Sequence, residues 1–576
     1  MGKIHKLMTL CKENGVKKGL RMAFDKLQKG PKAMAKKASV TIKESLEEER
    51  LNSQKTEKFT YEPLISILVP LYNTEVSMLK CVIESVMSQT YAGWELCLAN
   101  ASNNENGHVH DICMSFANAD DRIKYIQLTD NKGIAENTNE CARIATGEYY
   151  GLLDHDDVLH PSALYEVVKS LNEEKSEYLY TDEVTFSGEI TNVISTNYKP
   201  DYAKDTLRCN NYIGHFVVFS KALFESVGGF RKDYDGSQDH DIALRMTQRA
   251  GKVTHIPKNL YFWRAHKGSV VEDVYAKEYA INAGINCVKA HLDDIGLKAT
   301  VESSEVYPTI YRIRYEIKDN PLVTIVIPNK NSKEVLKRCM DSIEKSSYDN
   351  YEIIIVENNS DEQDIFDYYK EISNNNRTKI ITREGSFNYS ALNNLAVKES
   401  NGEYIIFLNN DTEVINPDWI GELLMYAQRE DVGAVGAKLM YPDNTLQHCY
   451  LKTGAGEHKV AIHMGLGLPA NDYGYLDRIG FVQNVNALTG ACLMVSKEKF
   501  VDAGGFDEKL PIAYNDVDIC LSLRQKGYNN VYTPYAVLYH YESVSRGKDD
   551  MERLNKDAEY MHSKWGDMLC DPFIRW

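Results

Sequence analysis

The stretch that decides the fold is 65-ISILVPLYN-73, and a close copy of it, 323-VTIVIPNKN-331, lies 258 residues further along the chain. In each copy an apolar, β-branched run reaches a proline and is followed by an asparagine, which is the pattern of a buried strand that stops at a turn. A segment with helical periodicity follows each run, and then a second apolar strand, at 94–99 and 351–356. Alternating strands and helices predict an α/β sheet that is mostly parallel, with ligands bound at the carboxyl ends of its strands.

Further matching segments show that the whole unit is repeated. Residues 146–157 match 401–412, and a Gly-Gly-Phe followed by an acidic pair recurs at 228–241 and 504–518, with extra residues in the second copy. Self-similarity over such lengths is the signature of tandem domains. The predicted organisation has three parts: a segment 1–60, a first domain 61–310 and a second domain 321–570.

Composition excludes several classes of protein. The 576 residues include 66 Lys and Arg against 83 Asp and Glu, so the formal charge of -17 disfavours a general nucleic-acid binder. The 12 cysteines form no zinc-type spacing, which predicts reduced thiols in the cytoplasm. No apolar run is long enough for a membrane span, and the start of the chain does not resemble a secretory signal.

The first 43 residues differ from the rest in charge. They carry twelve basic and two acidic side chains, which gives +10, and apolar residues recur within 4–27 at roughly helical spacing. Two interpretations stay open: a basic helix that lies on the anionic inner face of the plasma membrane, or a solvated basic tail. The polar residues 44–60 are expected to be a linker.

The sharpest chemical feature is a run of acids, Asp154, Asp156 and Asp157, directly after the apolar strand of the first copy. Carboxylates this close repel one another unless a cation lies among them, and hard divalent ions prefer oxygen ligands. The second copy keeps Asp411 at the place of Asp156 and has the neutral Asn409 at the first position. A solvated acidic turn is the alternative, but the repetition favours a site for Mn2+ or Mg2+.

An isolated acid lies far downstream in each copy, Asp239 in the first and Asp516 in the second. Each precedes an apolar helical pattern, so it stands at a helix start, where a carboxylate can cap the helix. A second acid follows two residues later in both copies, so one acid can cap while the other acts as a general base toward a hydroxyl.

A histidine follows near the end of each copy, His266 in the first and His540 in the second. A single histidine among aromatic residues commonly packs in the interior or lies at the surface. The matching placement of these two favours contact with a metal ion or a phosphate instead.

Taken in order, these motifs resemble those of bacterial family 2 glycosyltransferases of the GT-A fold. The resemblance covers about 61–280 and 321–548, and the runs 408–413 and 540–547 are similar to those of rhamnosyl- and galactofuranosyl-type transferases of surface polysaccharides. It implies two tandem GT-A domains, each Rossmann-like with a mostly parallel sheet, behind a basic helical N-terminal segment.

The resemblance also implies an activity: inverting transfer of a sugar from a nucleotide-diphosphate donor, UDP- or dTDP-linked, to a glycan or lipid-linked glycan acceptor of a growing cell-surface polysaccharide. Asp239 and Asp516 would be the catalytic bases. A divalent ion would neutralise the charge that develops on the diphosphate. The implied metal ligands are Asp154, Asp156, His266, Asp411 and His540.

The turns after the first strands would line the nucleotide-sugar pocket, although such residues are also common in ordinary turns. Asn100 stands where the family has an acid that accepts from the base, which puts the grip of the first copy on uracil in doubt, whereas the second copy keeps Glu357. The implied pocket residues are Pro70, Tyr72, Asn73, Asn100, Ser102, Asp154, Pro328, Asn331, Glu357, Asn358, Ser360 and Asn409.

Alternatives stay open beside two active transferase domains. One copy can be catalytic and the other degenerate, or the protein can be a non-catalytic carbohydrate-binding scaffold, although such a scaffold would be expected to have lost the acids at the base positions. A nucleotidyltransferase is disfavoured because 71–75 is not a basic glycine-rich loop.

Overall fold

The structure, a computed structural model, describes residues 32–265, 278–304, 307–541 and 551–575. These residues form two compact units, of which the first ends at Ile313 and the second covers Arg314–Ile574. Each unit is built on one large sheet with helices. The predicted fold class, two tandem α/β domains, is confirmed.

The strands of the first unit begin with the apolar run that opens the repeat. They are Ile65–Leu71 (β1), Trp94–Asn100 (β2), Ile123–Gln127 (β3), Tyr149–Leu152 (β4), Val158–Leu159 (β5), Tyr178–Phe186 (β6), Val193–Asn197 (β7), Val217–Ser220 (β8), Val253–Arg264 (β9), Ala299–Ser303 (β10) and Tyr311–Tyr315 (β11).

The helices of this unit alternate with the strands as predicted. They span 32–45 (α1), Glu48–Thr56 (α2), Val76–Met87 (α3), Gly107–Ala119 (α4), Ile134–Ile144 (α5), Ala163–Glu173 (α6), Lys204–Cys209 (α7), Lys221–Val227 (α8), Gln238–Arg249 (α9) and Glu278–Asp294 (α10).

The order of the main sheet is β3-β2-β1-β4-β8-β6-β9-β5, with β7 paired to β6. The pairs among β1 to β4 are parallel, whereas β8 lies antiparallel between β4 and β6. The apolar side chains of β1 and β2 are fully buried in the main core, since both faces of a parallel sheet are covered by helices. The polar residues that follow β1, β2 and β4 therefore come together at one edge of the sheet.

The second unit repeats this plan. Its strands are Val323–Asn329 (β12), Tyr351–Glu357 (β13), Thr378–Thr382 (β14), Tyr404–Leu408 (β15), Thr412–Val414 (β16), Val432–Met440 (β17), Leu446–His448 (β18), Leu451–Thr453 (β19), Ala461–His463 (β20), Gln483–Val485 (β21), Cys492–Ser496 (β22) and Asn529–His540 (β23).

The helices of the second unit are Lys333–Ile343 (α11), Gln363–Ile372 (α12), Tyr389–Glu399 (α13), Trp419–Ala427 (α14), Lys497–Asp502 (α15), Asn515–Gln525 (α16) and Met551–Trp565 (α17). The sheet order β14-β13-β12-β15-β22-β17-β23-β16 is the counterpart of the first sheet. The extra residues of the second copy include the short strands β19 and β20, whereas β18 pairs with β17 as β7 pairs with β6.

The segment before the first domain is not the linker that the sequence suggests. Helix α1 buries Ala38 and Ile42 against Val184, Phe186 and Phe262 of the first unit. Residues 32–43 of the basic segment are therefore bound to the protein through the apolar side of α1, and the apolar residues within 4–27 that were expected to meet a membrane lie outside the described residues. The rest of the expected basic helix, 1–31, lies outside the described residues.

Helix α2 falls within 44–60 and also packs on the first unit, through polar contacts. Thr90 donates a hydrogen bond to the buried Gln54 (3.0 Å), and Tyr165 donates one to Glu57 (2.5 Å). Residues 44–60 are charged and have no apolar stripe, so the sequence did not indicate that a helix there packs on the first unit. In the described part of the chain no helix combines the length and the apolar character that a bilayer crossing requires.

Candidate active sites

The turns after β1 and β12 are built in the same way. The backbone N–H of Asn73 donates to Ser102 Oγ (2.8 Å), and that of Asn331 donates to Ser360 Oγ (2.7 Å). Both asparagines have a φ of 51°, in the left-handed region that asparagine tolerates, and each side-chain Oδ1 accepts from the N–H of the residue after that serine. The structure therefore joins the predicted pocket residues of two neighbouring turns in each unit.

The acid predicted to bind the nucleobase holds its own loop in place. Glu357 is buried and accepts hydrogen bonds from the backbone and hydroxyl of Ser360 (2.5 and 2.6 Å) and from Tyr369 (2.6 Å). Asn100 occupies the equivalent place in the first unit and accepts from the N–H of Ser102 (2.9 Å). Both side chains thus accept a hydrogen bond from the turn after the second strand, one by Asn100 and three by Glu357.

The remaining residues predicted to line the nucleotide-sugar pocket are less accessible to a ligand, apart from Tyr72. Pro70 and Pro328 lie inside strands β1 and β12, paired with the neighbouring strand. The amide of Asn358 is buried and donates to the carbonyl of Arg383 (2.8 Å), which stabilises the loop. Tyr72 is exposed.

The acidic turn of the first unit separates into two kinds of carboxylate. Asp157 is buried and accepts hydrogen bonds from Tyr261 Oη (2.6 Å) and from the backbone N–H of Arg264 (2.8 Å). Burial and the neighbouring charge of Asp154 raise the pKa of Asp157 to about 8. This acid therefore ties the turn to β9, whereas Asp154 remains 45% exposed.

A residue that the sequence reasoning missed, His215, meets Asp154. Its Nε2 lies 3.3 Å from Asp154 Oδ2, and its Nδ1 lies 3.5 Å from Glu183 Oε2. Burial alone would lower the pKa of His215, but the two carboxylates raise it well above its usual value. Burial alone would raise the pKa of Asp154, but the contact with His215 holds it below its usual value. The two carboxylates thus favour the protonated form of His215.

Asp239 lies on the same small cavity, of about 20 Å³, as Asp154 and His215. Its carboxylate accepts a hydrogen bond from the side chain of Gln238 (2.9 Å), and Ser237, the residue before helix α9, directs its hydroxyl to the carbonyl of residue 280 (2.9 Å). Burial and the charge of Asp154 raise the pKa of Asp239 to about 6. A carboxylate of this kind is suited to accept a proton near neutral pH.

The acid two residues further on has a different place in both units. Asp241 is buried and accepts from Arg231 Nε (3.2 Å) and Arg245 Nε (3.0 Å). In the second unit Asp518 is buried and accepts from Trp565 Nε1 (2.8 Å), with Lys564 Nζ at 2.7 Å. Asp241 and Asp518 therefore form ion pairs inside the protein. The acid two residues earlier, Asp239 or Asp516, is the one that can act on a substrate.

In the second unit the predicted Asp411 and His540 do meet. His540 Nε2 lies 3.1 Å from Asp411 Oδ1 and 3.2 Å from Asn409 Nδ2, while Nδ1 lies 2.7 Å from Gln447 Oε1. Because Gln447 Oε1 can only accept, Nδ1 donates to it, and this contact fixes the ring with Nε2 toward the acidic turn. The sequence reasoning did not identify Gln447.

Asp516 lies close to this group through the backbone. Its two carboxylate oxygens accept from the N–H groups of Gly490 (3.0 Å) and Val517 (2.8 Å). The carbonyl of Ala491, the residue after that glycine, accepts from the N–H of Asn409 (3.0 Å). The predicted base and the acidic turn of the second unit therefore flank one short segment of chain.

The match between His266 and His540 is not confirmed. His266 lies outside the described residues. The strand registers place Phe262 and Tyr539 at equivalent positions, since each pairs with the strand that follows the acidic turn. The residue after Phe262 is Trp263, and the residue after Tyr539 is His540. Trp263 is therefore the counterpart of His540. Sequence proximity misled the comparison because the register, and not the distance from the end, determines which side chain reaches the turn.

The donor sets fit a divalent ion that shares its coordination with a substrate. In residues 32–265, 278–304, 307–541 and 551–575, no three His, Cys, Asp or Glu side chains are grouped as a metal site. Mg2+ commonly binds through one or two carboxylates together with substrate phosphates. Asp411 with His540, and Asp154 with Asp156, are the residues that could supply such donors.

Comparisons with known proteins point to one family. The model of the family "Glycosyl transferase family 2" matches residues 66–228 and 324–500. An uncharacterized protein y4gI of Sinorhizobium fredii is 40% identical over 87% of this chain and 56% of its own length. The O-antigen biosynthesis protein RfbC of Myxococcus xanthus is 33% identical over 90% of this chain and 40% of its own length. The chain thus spans about half the length of the curated relatives it matches.

Among solved structures, Staphylococcus aureus TarS 1-349 covers 40% of this chain and 65% of its own, with 16% identity and a TM-score of 0.33. GalNAc-T7 with UDP, GalNAc and Mn2+ covers 45% of this chain and 50% of its own, with 15% identity and a TM-score of 0.37. The two family matches coincide with the two repeats and together cover more than half of the chain. The chain belongs to glycosyl transferase family 2 and carries the family's domain twice.

Proposed function

We propose that this chain is a metal-dependent, inverting glycosyltransferase with one active site in each unit, which extends a bacterial cell-surface glycan from nucleotide-diphosphate sugars. The observation that carries the proposal is that Asp154 and Asp239, far apart in sequence, line one cavity in the first unit. The name of the Myxococcus xanthus relative, an O-antigen biosynthesis protein, supports a surface polysaccharide as the product.

The pKa of Asp239 supports its role as the group that accepts the proton. With a pKa of about 6 it is ionised at pH 7 and yet basic enough to accept the proton of an acceptor hydroxyl as that oxygen attacks the anomeric carbon. A single displacement from the face opposite the leaving group inverts that carbon. Asp516 has the corresponding role in the second unit.

The metal would be held by Asp154 and Asp156 in the first unit and by Asp411 and His540 in the second. When bound, a divalent ion supplies Lewis-acid stabilisation of the diphosphate leaving group. The chain's own contribution is to orient these donors: Gln447 fixes the ring of His540, and His215 contacts Asp154.

The nucleotide of a UDP- or dTDP-linked donor would lie on the turns after β1 and β2, and after β12 and β13. Those turns are joined through Asn73 and Ser102 in the first unit and through Asn331 and Ser360 in the second. The shared geometry supports the same part of the substrate at both sites. Exposed groups such as Tyr72 are available to a base or ribose.

The acceptor would be a glycan, and a lipid-linked one if the protein works at the inner face of the plasma membrane. The support for that location is the +10 charge of residues 1–43. Lys36, Lys37 and Lys43 are exposed on α1, opposite its buried apolar side. Equal sedimentation of the protein with neutral and with anionic liposomes would contradict this placement.

The experiment is nucleotide release from UDP-, dTDP- and GDP-sugars with Mn2+ or Mg2+, comparing the intact chain with Asp239→Asn, Asp516→Asn and the double variant. Partial loss in each single variant and complete loss in the double variant would support two active sites. Asp293→Asn is the matched control, because that carboxylate is exposed on α10 and does not line the cavity.

A specific observation favours a second candidate, one catalytic and one degenerate unit. The second unit has Asn409 where the first has Asp154, so its turn carries less charge for a metal. Under this alternative, Asp516→Asn leaves nucleotide release unchanged and Asp239→Asn abolishes it.

A further inference from the structure

His215 stands between the acidic turn and a buried charge network that the catalytic proposal does not use. We propose that His215 is a positioning residue of the first unit, which holds the Asp154 carboxylate toward the cavity that Asp239 also lines, through the contact of Nε2 with that carboxylate. The inference rests on the proposed function, since it assigns a means of orientation to the donor site of that function. The distance between Nε2 and Asp154 Oδ2 is 3.3 Å, and both residues line the cavity together with Asp239.

The imidazole ring is fixed on the sides away from Asp154. Its face stacks on Tyr261 at a centroid distance of 4.8 Å and an interplanar angle of 15°. The backbone N–H of His215 donates to Glu183 Oε2 (3.0 Å), and the same oxygen lies 3.5 Å from Nδ1. The stacking on Tyr261 and the Nδ1 contact with Glu183 direct Nε2 toward Asp154.

The carboxylate behind the ring is itself anchored. Glu183 accepts from Asn197 Nδ2 (2.9 Å) and lies 3.2 Å from Nζ of Lys199, whose side chain is fully buried. Lys199 Nζ also donates to the carbonyl of His215. Burial of a lysine requires strong compensation, and this one stabilises the backbone and the carboxylate that together fix the histidine.

The second unit has apolar side chains at three matching positions of this network. The strand registers place Ala491, Leu439 and Leu538 where the first unit has His215, Glu183 and Tyr261. There the imidazole that meets the acidic turn belongs to His540, at the end of β23. Each unit therefore brings an imidazole Nε2 to within about 3.3 Å of a carboxylate in the turn, but from a different strand.

Such a repeated contact made by unrelated positions is not expected if the imidazole only fills space. In the first unit, Asp154 and Asp239 would otherwise face one cavity of about 20 Å³ as like charges. The Nε2 contact sets the orientation of Asp154 and leaves Asp239 to accept a proton. Loss of one polar contact to a carboxylate of this type corresponds to about a 10- to 100-fold weaker interaction.

The test uses the full chain with Asp516→Asn, so that turnover reports the first unit, and three changes at His215. His215→Gln places an amide N–H near the position of Nε2, whereas His215→Asn and His215→Ala cannot reach Asp154. We expect the KM for the donor sugar, measured with Mn2+, to rise about 10- to 100-fold in the Asn and Ala variants, with a much smaller change in kcat, and to recover largely in the Gln variant.

Two results would overturn the proposal. Equal loss in all three variants would show that the charge or the ring, and not the bond from Nε2, is required. An unchanged KM in the presence of a lowered melting temperature would show a purely structural role. Asp293→Asn in the same background controls for a general effect of substitution.

Calorimetric titration of the same proteins with UDP and Mn2+ separates this inference from the proposed function. A parent chain that binds UDP without turnover contradicts the proposed activity of the first unit, and the ratio of UDP affinities among the three variants then decides the role of His215. A parent that neither turns over nor binds any nucleotide overturns both proposals.

Discussion

Replacing Asp239 with asparagine should stabilise the protein while it removes the activity of the first unit. Burial and the charge of Asp154 raise the pKa of Asp239 from 3.8 to about 6. A raised pKa means that ionisation costs more in the folded chain than in the unfolded chain. Two pKa units correspond to about 3 kcal/mol, and partial solvent contact reduces the expected gain to about 1–3 kcal/mol at pH 7.5.

The sign of the effect depends on pH in a defined way. At pH 7.5 the carboxyl group is ionised in both states, so the wild-type protein bears the full penalty and the variant bears none. As the pH falls from 6 toward 4, the folded state binds the proton first and the advantage of Asp239→Asn disappears. Calorimetric melting of the full chain at pH 7.5, 5 and 4 measures this change directly.

Asp516→Asn is the matched comparison, because its carboxylate accepts two backbone hydrogen bonds, from Gly490 and Val517. An asparagine cannot accept both in the same way, so this variant should lose about 1 kcal/mol of stability. If Asp239→Asn also destabilises at pH 7.5, or stabilises equally at every pH, then Asp239 supports helix α9 and the reasoning about a buried base is wrong.

Three other changes test the remaining parts of the sites. The activity of the first unit should fall as the pH drops through about 6, because Asp239 must be ionised to accept a proton; a flat pH–rate profile between 5 and 8 would contradict this assignment. Glu357→Gln leaves one acceptor oxygen for three donors, so the second unit should lose about 1–3 kcal/mol in calorimetric melting, and an unchanged melting temperature would show that the turn does not need the acid. Gln447→Leu removes the partner of His540 Nδ1 and should weaken Mn2+ binding about 10- to 100-fold in a paramagnetic titration, whereas equal binding would exclude His540 as a ligand.

The sequence was sufficient for the architecture because the informative signals are local. The apolar runs at 65–71 and 323–329 are strands in the structure, and the repeated motifs delimit two units of similar topology. The acids could be selected for the same reason, since an acid directly after a buried strand lies at the carboxyl edge of the sheet. Their different roles depended on burial and partners, which the sequence does not contain.

The histidines show where sequence reasoning reached its limit. His215 meets Asp154 because β8 inserts antiparallel beside β4, and no local pattern predicts that neighbour. His266 was matched to His540 by its distance from the end of the copy, whereas the register assigns that position to Trp263. Long-range pairing determines both outcomes, and a single sequence does not report it.

The origin of the imidazole on different strands has an evolutionary consequence. Recombination between the two halves of the gene would join the region before β8 or β22 in one copy to the last strand, β23 or β9, of the other copy. One such hybrid combines Ala491 with Trp263 and has neither imidazole, and the reciprocal hybrid places His215 and His540 at one turn. Because both recombinants have an altered site, selection would oppose gene conversion between the repeats. The two halves are therefore expected to accumulate differences independently and to specialise.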